Sequence, residues 1–245
     1  MSVILGINKD HSDSSACLLL NGKLTGAVAE ERLGKRIKHD TSFPSNSIVW
    51  LLKDANIKFK DIDIIAVANN GKSNLKEKFL HAFDFSILNL AEKIKSKIFN
   101  KSSIDKEIKK LCIKSGENIN DLRYEIYKVE HHLTHIASAY YLSGFTNKTA
   151  ALSYDGSGDG VSIMLAECDN CKIKVLERVY LPKSLGHFYS AVCNFIGFDK
   201  FGEEYKVMGL SAYGEDKYSE YFEKLIGYDE DLCLRQDNIF DYNSI

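Results

Sequence analysis

Two apolar runs, Ser15–Leu20 and Leu24–Glu30, meet at Asn21-Gly22, one of the strongest short-range hairpin signals because both turn residues accept positive φ. Ahead of them Val3–Asn8 reads as another strand, followed by a polar turn through His11. Behind them, Asn46 to Asn56 has helical spacing after Pro44, with Ile48, Leu51, Leu52 and Ala55 on one face. Ile62–Ala68 is again a strand. A strand, a hairpin, a helix and a further strand restrict the chain to α/β layers.

From Leu75 to Lys114 the spacing is helical and lysine-rich, as in Glu92–Ile98 and Asp105–Leu111. Lys and Glu mixed at i, i+4 mark a solvated helix face rather than an RNA or membrane contact, so residues 72–116 read as a helical insertion. Tyr124–Glu130 is a strand leading into His131-His132-Leu133-Thr134-His135. His131 and His135 stand one turn apart on a helix and can converge on one metal ion. Thr149–Tyr154 is a buried strand, with Asp155 at its carboxyl end opening the run Asp155-Gly156-Ser157-Gly158-Asp159-Gly160. Glycines in such a turn can present amide N–H groups to an anion, and its aspartates can hold a metal or a metal-bound phosphate. Each motif has a plainer reading: two histidines on the surface or in the core, and a hairpin loop.

Four further segments, Leu5–Ala16, Glu30–Asp40, Ser184–Ser190 and Glu203–Gly214, complete an ordered set. Together the six resemble the amino-terminal domain of the O-carbamoyltransferases of antibiotic and nodulation-factor biosynthesis. These are relatives of the enzymes that place threonylcarbamoyl groups on transfer RNA. The resemblance runs from Ser2 to about Gly214 and thins between Lys72 and Gly116. It implies an α/β fold of the actin/Hsp70/sugar-kinase (ribonuclease H-like) kind. The first subdomain would be complete over residues 1–146 and the second partial over 147–245.

The resemblance also implies a chemistry. Carbamoyl phosphate and ATP give carbamoyl adenylate, whose carbamoyl group passes to a hydroxyl or amine of a small-molecule acceptor. His131 and His135 would ligate a divalent metal, iron foremost, with Asp155 as a further ligand and His132 outside the set; by donor type alone the set suits iron, zinc or manganese. His11 would serve as general acid/base, since its titration range matches the task. Lys38 and Arg36 would neutralise phosphate. Gly156, Ser157 and Gly158 would line the phosphate, and Glu204, Lys206 and Gly214 the nucleotide. The carboxy-terminal part that makes carbamoyl adenylate is expected to be missing, to be supplied in cis or in trans, leaving this chain inactive alone. A catalytically inactive metal- or nucleotide-binding module, or an ATPase or kinase of the same superfamily, is the alternative; kinase chemistry has no need of the histidine pair.

Composition agrees without directing. With 44% apolar and 27% charged residues and a net charge of −2, nothing calls for a nucleic acid or an anionic membrane as partner. No apolar run approaches the roughly 20 residues of a membrane span, and the start lacks the basic region of a signal peptide, so a cytoplasmic location is expected. Of six cysteines only Cys168-Asp-Asn-Cys171 has ligand spacing. It lies between the strand-like runs Val161–Glu167 and Lys172–Tyr180, so free thiols beside a hairpin turn are expected.

Overall fold

The structure, a computed structural model, describes residues 1–9, 13–34, 38–78, 103–200, 202–228 and 234–236. It divides into two compact units, one of Met1–Gly71 with the described part of Phe85–Glu130, the other of the described parts of Lys72–Asp84 and His131–Ile245.

In the first unit, β1 (Val3–Asn8), β2 (Ser15–Leu20) and β3 (Lys23–Ala29) are antiparallel, and β4 (Ile64–Val67) and β5 (Glu125–Lys128) run parallel to β1, in the order β3-β2-β1-β4-β5. Asn21 and Gly22 form the tight turn at φ 51° and 77°. Three antiparallel strands followed by two parallel to the first make the mixed sheet of the ribonuclease H-like folds that the resemblance implies. Alternate residues of β1, Val3, Leu5 and Ile7, are buried with Ile65 and Val67 of β4. Over them pack Ile48, Leu51 and Leu52 of α2 (Ser45–Asp54) and Ile104, Ile108 and Leu111 of α3 (Ile104–Lys114).

The strand expected to include Glu30 stops at Ala29, and Glu30 opens the short α1 (Glu30–Leu33). Its carboxylate is buried and accepts four hydrogen bonds at the start of α2: from the Asn46 and Ser47 backbone N–H groups, Asn46 Nδ2 and Ser47 Oγ, at 2.7–3.0 Å. An anion thus satisfies N–H groups that the first turn of α2 would otherwise leave orphaned. Of the expected helical insertion, α3 is described, with Lys109 and Lys110 on its exposed side paired to Asp105 and Glu107; residues 79–102 lie outside the described residues.

The second unit is built on a meander, β6 (Thr149–Gly158), β7 (Val161–Asp169) and β8 (Lys172–Tyr180). Against it lies α4 (His131–Ser143), whose Ile136 and Tyr140 are buried with Met164, Ala166 and Cys168 of β7. This packing groups the histidine helix with the second unit, so the division falls at Glu130/His131 and differs from the 146/147 division expected from sequence by the whole of α4. Helices α5 (Leu185–Phe195), α6 (Glu204–Leu210) and α7 (Ser219–Leu225) follow, then the short pair β9 (Ile226–Tyr228) and β10 (Leu234–Gln236). Cys168 lies in β7 and Cys171 in the Asn170-Cys171 turn that leads to β8, so the turn falls one residue later than the Asp-Asn pair, and both are free thiols. No helix among the described residues is long and apolar enough to cross a membrane.

Candidate metal centre

Because α4 starts at His131, His135 sits one turn further along the same face. The His135 Nε2 lies 3.0 Å from the His131 Nε2, and the Asp155 Oδ2 is 3.1 Å from the His131 Nε2 and 3.8 Å from the His135 Nε2. Two imidazole nitrogens at that distance repel through their lone pairs unless a proton or a cation lies between them. Donors on one metal at bonds of about 2.0–2.2 Å stand roughly 2.8–3.1 Å apart when cis in octahedral geometry and roughly 3.3–3.6 Å apart in tetrahedral geometry. The three atoms already have nearly that spacing, so the donor set fits a divalent metal. Hydrogen bonds from His131 and then His135 hold the Asp155 carboxyl far below the usual carboxylate range. The His131 side chain is 9% exposed, against 52% for His135 and 45% for Asp155; the set has a sealed inner member and two outer ones.

The strand carrying Asp155 departs from the expected geometry. Instead of ending before Asp155, β6 continues to Gly158 with a register shift after Tyr154, and the turn itself is only Asp159-Gly160, at φ 54° and 87°. Residues 155–157 bulge from the ladder, which aims the Asp155 side chain at α4. The Gly156 N–H donates to Asp155 Oδ1 at 2.6 Å. The glycines answer to packing. A Cβ on Gly158 would lie 2.0 Å from the His131 Cδ2, and a Cβ on Gly186 of α5 would lie 2.7 Å from the Gly156 nitrogen. Glycine at these positions lets the histidine ring and the first turn of α5 rest directly on the β6 backbone.

His132 is kept apart by helix geometry, since the next residue points about 100° around the axis. Its fully buried ring accepts from Ser153 Oγ at Nδ1 (2.8 Å) and donates from Nε2 to the Val161 carbonyl (2.9 Å), pinning α4 to β6 and β7. Burial pushes its pKa down, so the ring is neutral.

The other candidates fall at separate places. His11 and Arg36 lie outside the described residues. Lys38 is in the turn before His39, whose Nδ1 is 3.0 Å from Asp13 Oδ1, while the Ser14 N–H donates to the Asp40 carbonyl. Glu204 and Lys206 are on α6: Glu204 accepts from Ser190 Oγ at 2.9 Å, and Lys206 pairs with Glu203 at 2.5 Å. Gly214 closes the 3₁₀ turn Ser211–Tyr213 with extended backbone.

Ser184 and His187 near the donor set carry no role in the sequence reading, and Asp159, a possible metal or phosphate ligand there, takes a different one. Ser184 caps α5 by accepting the His187 N–H and donates to the Gly156 carbonyl at 2.6 Å. This sets the half-buried His187 ring beside Gly156, close enough to Asp155 to feel its charge, although burial is the larger influence and lowers its pKa. Asp159 accepts the backbone N–H of His131 at 2.9 Å. Its place in the Asp-Gly run was visible, but its partner lies 28 residues away.

An α/β chain with a two-histidine, one-carboxylate centre is matched over residues 3–244 by the family described as Carbamoyltransferase N-terminus. The chain belongs to that family. Among curated relatives it is 31% identical over 250 residues to the uncharacterized protein sll1178 of Synechocystis sp., covering 99% of this chain and 39% of that protein. It is 32% identical over 222 residues to the nodulation protein NolNO of Sinorhizobium fredii, covering 87% and 30%. The chain thus spans well under half the length of these relatives. Similar solved structures include YeaZ from Pseudomonas aeruginosa, at 13% identity and TM-score 0.37 over 74% of this chain and 68% of that one. Another is component A of the Acidaminococcus fermentans (R)-2-hydroxyglutaryl-CoA dehydratase, also at 13% and 0.37, over 89% and 71%.

Proposed function

We propose that this chain supplies the metal-binding part of a carbamoyl-transfer site, in which a carbamoyl group passes from carbamoyl adenylate, made from carbamoyl phosphate and ATP, to a hydroxyl or amine of a small-molecule acceptor. The observation that carries this reading is the His131, His135 and Asp155 donor set within a chain of the carbamoyltransferase family. A divalent metal held by His131, His135 and Asp155, iron by family resemblance, would supply Lewis acidity to offset negative charge on a phosphate or carbamoyl oxygen. The protein's part is positioning. His131 is fixed by packing on Gly158 and by its bond to Asp155, while the half-exposed His135 and Asp155 form the side at which an oxygen ligand enters. In this reading His11 moves the proton of the acceptor, and Lys38 neutralises phosphate. Gly156, Ser157, Gly158, Glu204, Lys206 and Gly214 are the proposed nucleotide and phosphate contacts. Turnover is proposed to need the further sequence that the longer relatives possess.

The donor set favours carbamoyl transfer over a kinase or ATPase reading, because transfer of a γ-phosphoryl group is served by magnesium on oxygen ligands rather than by imidazoles. The test begins with elemental analysis of anaerobically purified chain. About one equivalent of transition metal is expected, and its loss in the variant carrying His131→Ala and His135→Ala. The chain combined with the carboxy-terminal region of a full-length relative should then release AMP and pyrophosphate from ATP only when carbamoyl phosphate is present. Metal content indifferent to both substitutions, or ATP hydrolysis independent of carbamoyl phosphate, rejects the reading.

A further inference from the structure

We infer that Asp159, buried between the start of α4 and Lys78, is a positioning residue that sets the metal-binding pose of His131 through its backbone N–H. The inference rests on the metal reading of the donor set and extends it beyond the three donors.

The backbone N–H of His131 belongs to the first turn of α4, where intrahelical partners are lacking. No Ser, Thr, Asp or Asn precedes the helix to cap it, since the chain there reads Val129-Glu130. The acceptor comes instead from the β6–β7 turn, with Asp159 Oδ2 at 2.9 Å from the His131 nitrogen. The Asp159 side chain is 3% exposed, and its other oxygen lies 4.0 Å from Lys78 Nζ. Its carbonyl accepts from Asn74 Nδ2 at 3.3 Å, and the Lys78 stem lies against Gly160. The turn is therefore clamped by residues 74–78, a segment that reads from sequence as the edge of an insertion. Asp159 and Gly160 both take left-handed backbone, at φ 54° and 87°, which makes the tight turn that carries the carboxylate.

His131 is in consequence held at both ends by one short motif. Asp155 meets the ring at Nε2, Gly158 makes room for the ring, and Asp159 anchors the backbone. Partners beyond the donors are what fix a ligand's orientation, and losing one typically costs 10–100-fold in metal affinity.

The test uses the metal-free 245-residue chain titrated with Co²⁺, reading the visible absorption bands, which report coordination geometry, and the dissociation constant from chelator competition. Asp159→Ala should weaken Co²⁺ binding about 10–100-fold and shift the bands. Asp159→Asn, which keeps an acceptor oxygen for the His131 N–H, should retain the wild-type bands and recover most of the affinity. A folded Asp159→Ala protein with wild-type affinity and bands overturns the proposal. Should the alanine variant fail to fold, Asp159→Asn decides: shifted bands there overturn it, and unshifted bands support it. His131→Ala separates the two levels. If that variant binds as wild type does, or wild type binds no Co²⁺, the metal reading falls and the proposal with it; if only Asp159→Ala is silent, the proposal alone falls.

Discussion

Gly158→Ala is the sharpest probe of the centre, because the added methyl meets His131 where it cannot yield by rotating. The new Cβ would stand 2.0 Å from Cδ2, 2.2 Å from Cγ and 2.6 Å from Cβ of His131. Ring atoms can swing away about χ1, but the Cβ moves only with the backbone. Carbon atoms settle at roughly 3.5 Å, so the start of α4 must retreat by on the order of 1 Å and the ring by about 1.5 Å. Displacements of that size break the 3.0 Å and 3.1 Å spacings of the donor set. Metal affinity should fall by about 100-fold, the upper range for disturbing a ligand's support, and overpacking should lower stability by about 1–3 kcal/mol. Gly156→Ala is the matched control: its Cβ would meet only the His187 ring, at 3.3–3.4 Å, so affinity should change by less than about tenfold. Chelator-competition titration and thermal denaturation of the two variants measure both quantities. A Gly158→Ala protein with unchanged affinity and melting temperature would show that His131 does not rest on β6 as described.

Two other perturbations test the frame around the centre. In metal-free protein, the depressed pKa of buried His132 means the unfolded chain takes up its proton first; stability should therefore decline as pH falls below about 6.5 toward the lower folded value, by at most about 1.4 kcal/mol per pH unit. Thermal melts from pH 8 to 5 should show a flatter profile for His132→Gln, and an equally steep one would contradict the neutral-ring assignment. In the first unit, Glu30→Ala removes the acceptor of four hydrogen bonds at the start of α2 and should cost about 3 kcal/mol in urea denaturation; a loss under about 1 kcal/mol would show that water replaces it readily.

What could be read in the chain depended on how far each residue's partner lay. Asn21-Gly22 announced its hairpin because φ is a local property, and α2 its apolar face because the helical period is local too. The His131/His135 pair was legible for the same reason. In the sequence the Asp-Gly run looks like one open turn, since composition alone cannot separate a turning glycine from a packing glycine. Gly158 answers to His131, and Gly156 to Gly186, contacts made across 27–30 residues of chain. Glu30 looked like the end of a strand, because its partners, Asn46 and Ser47, are 16 and 17 residues on. From composition Asp159 reads as a possible metal or phosphate ligand, whereas its bond to the His131 N–H and its place beside Lys78 depend on tertiary geometry that no local pattern encodes.

The three donors span only 24 residues, and the strands behind them, β6, β7 and β8, pair strictly with their neighbours in sequence. Such a segment has low contact order, so the loops to be closed are short and their entropic cost small. The sheet of the first unit is different, since β5 must find β4 across about sixty residues. During synthesis the histidine helix and its meander can therefore assemble as soon as residue 180 has left the ribosome, before α5 arrives to cover Gly156. On the proposed metal reading, all three donors come into place within this locally formed segment.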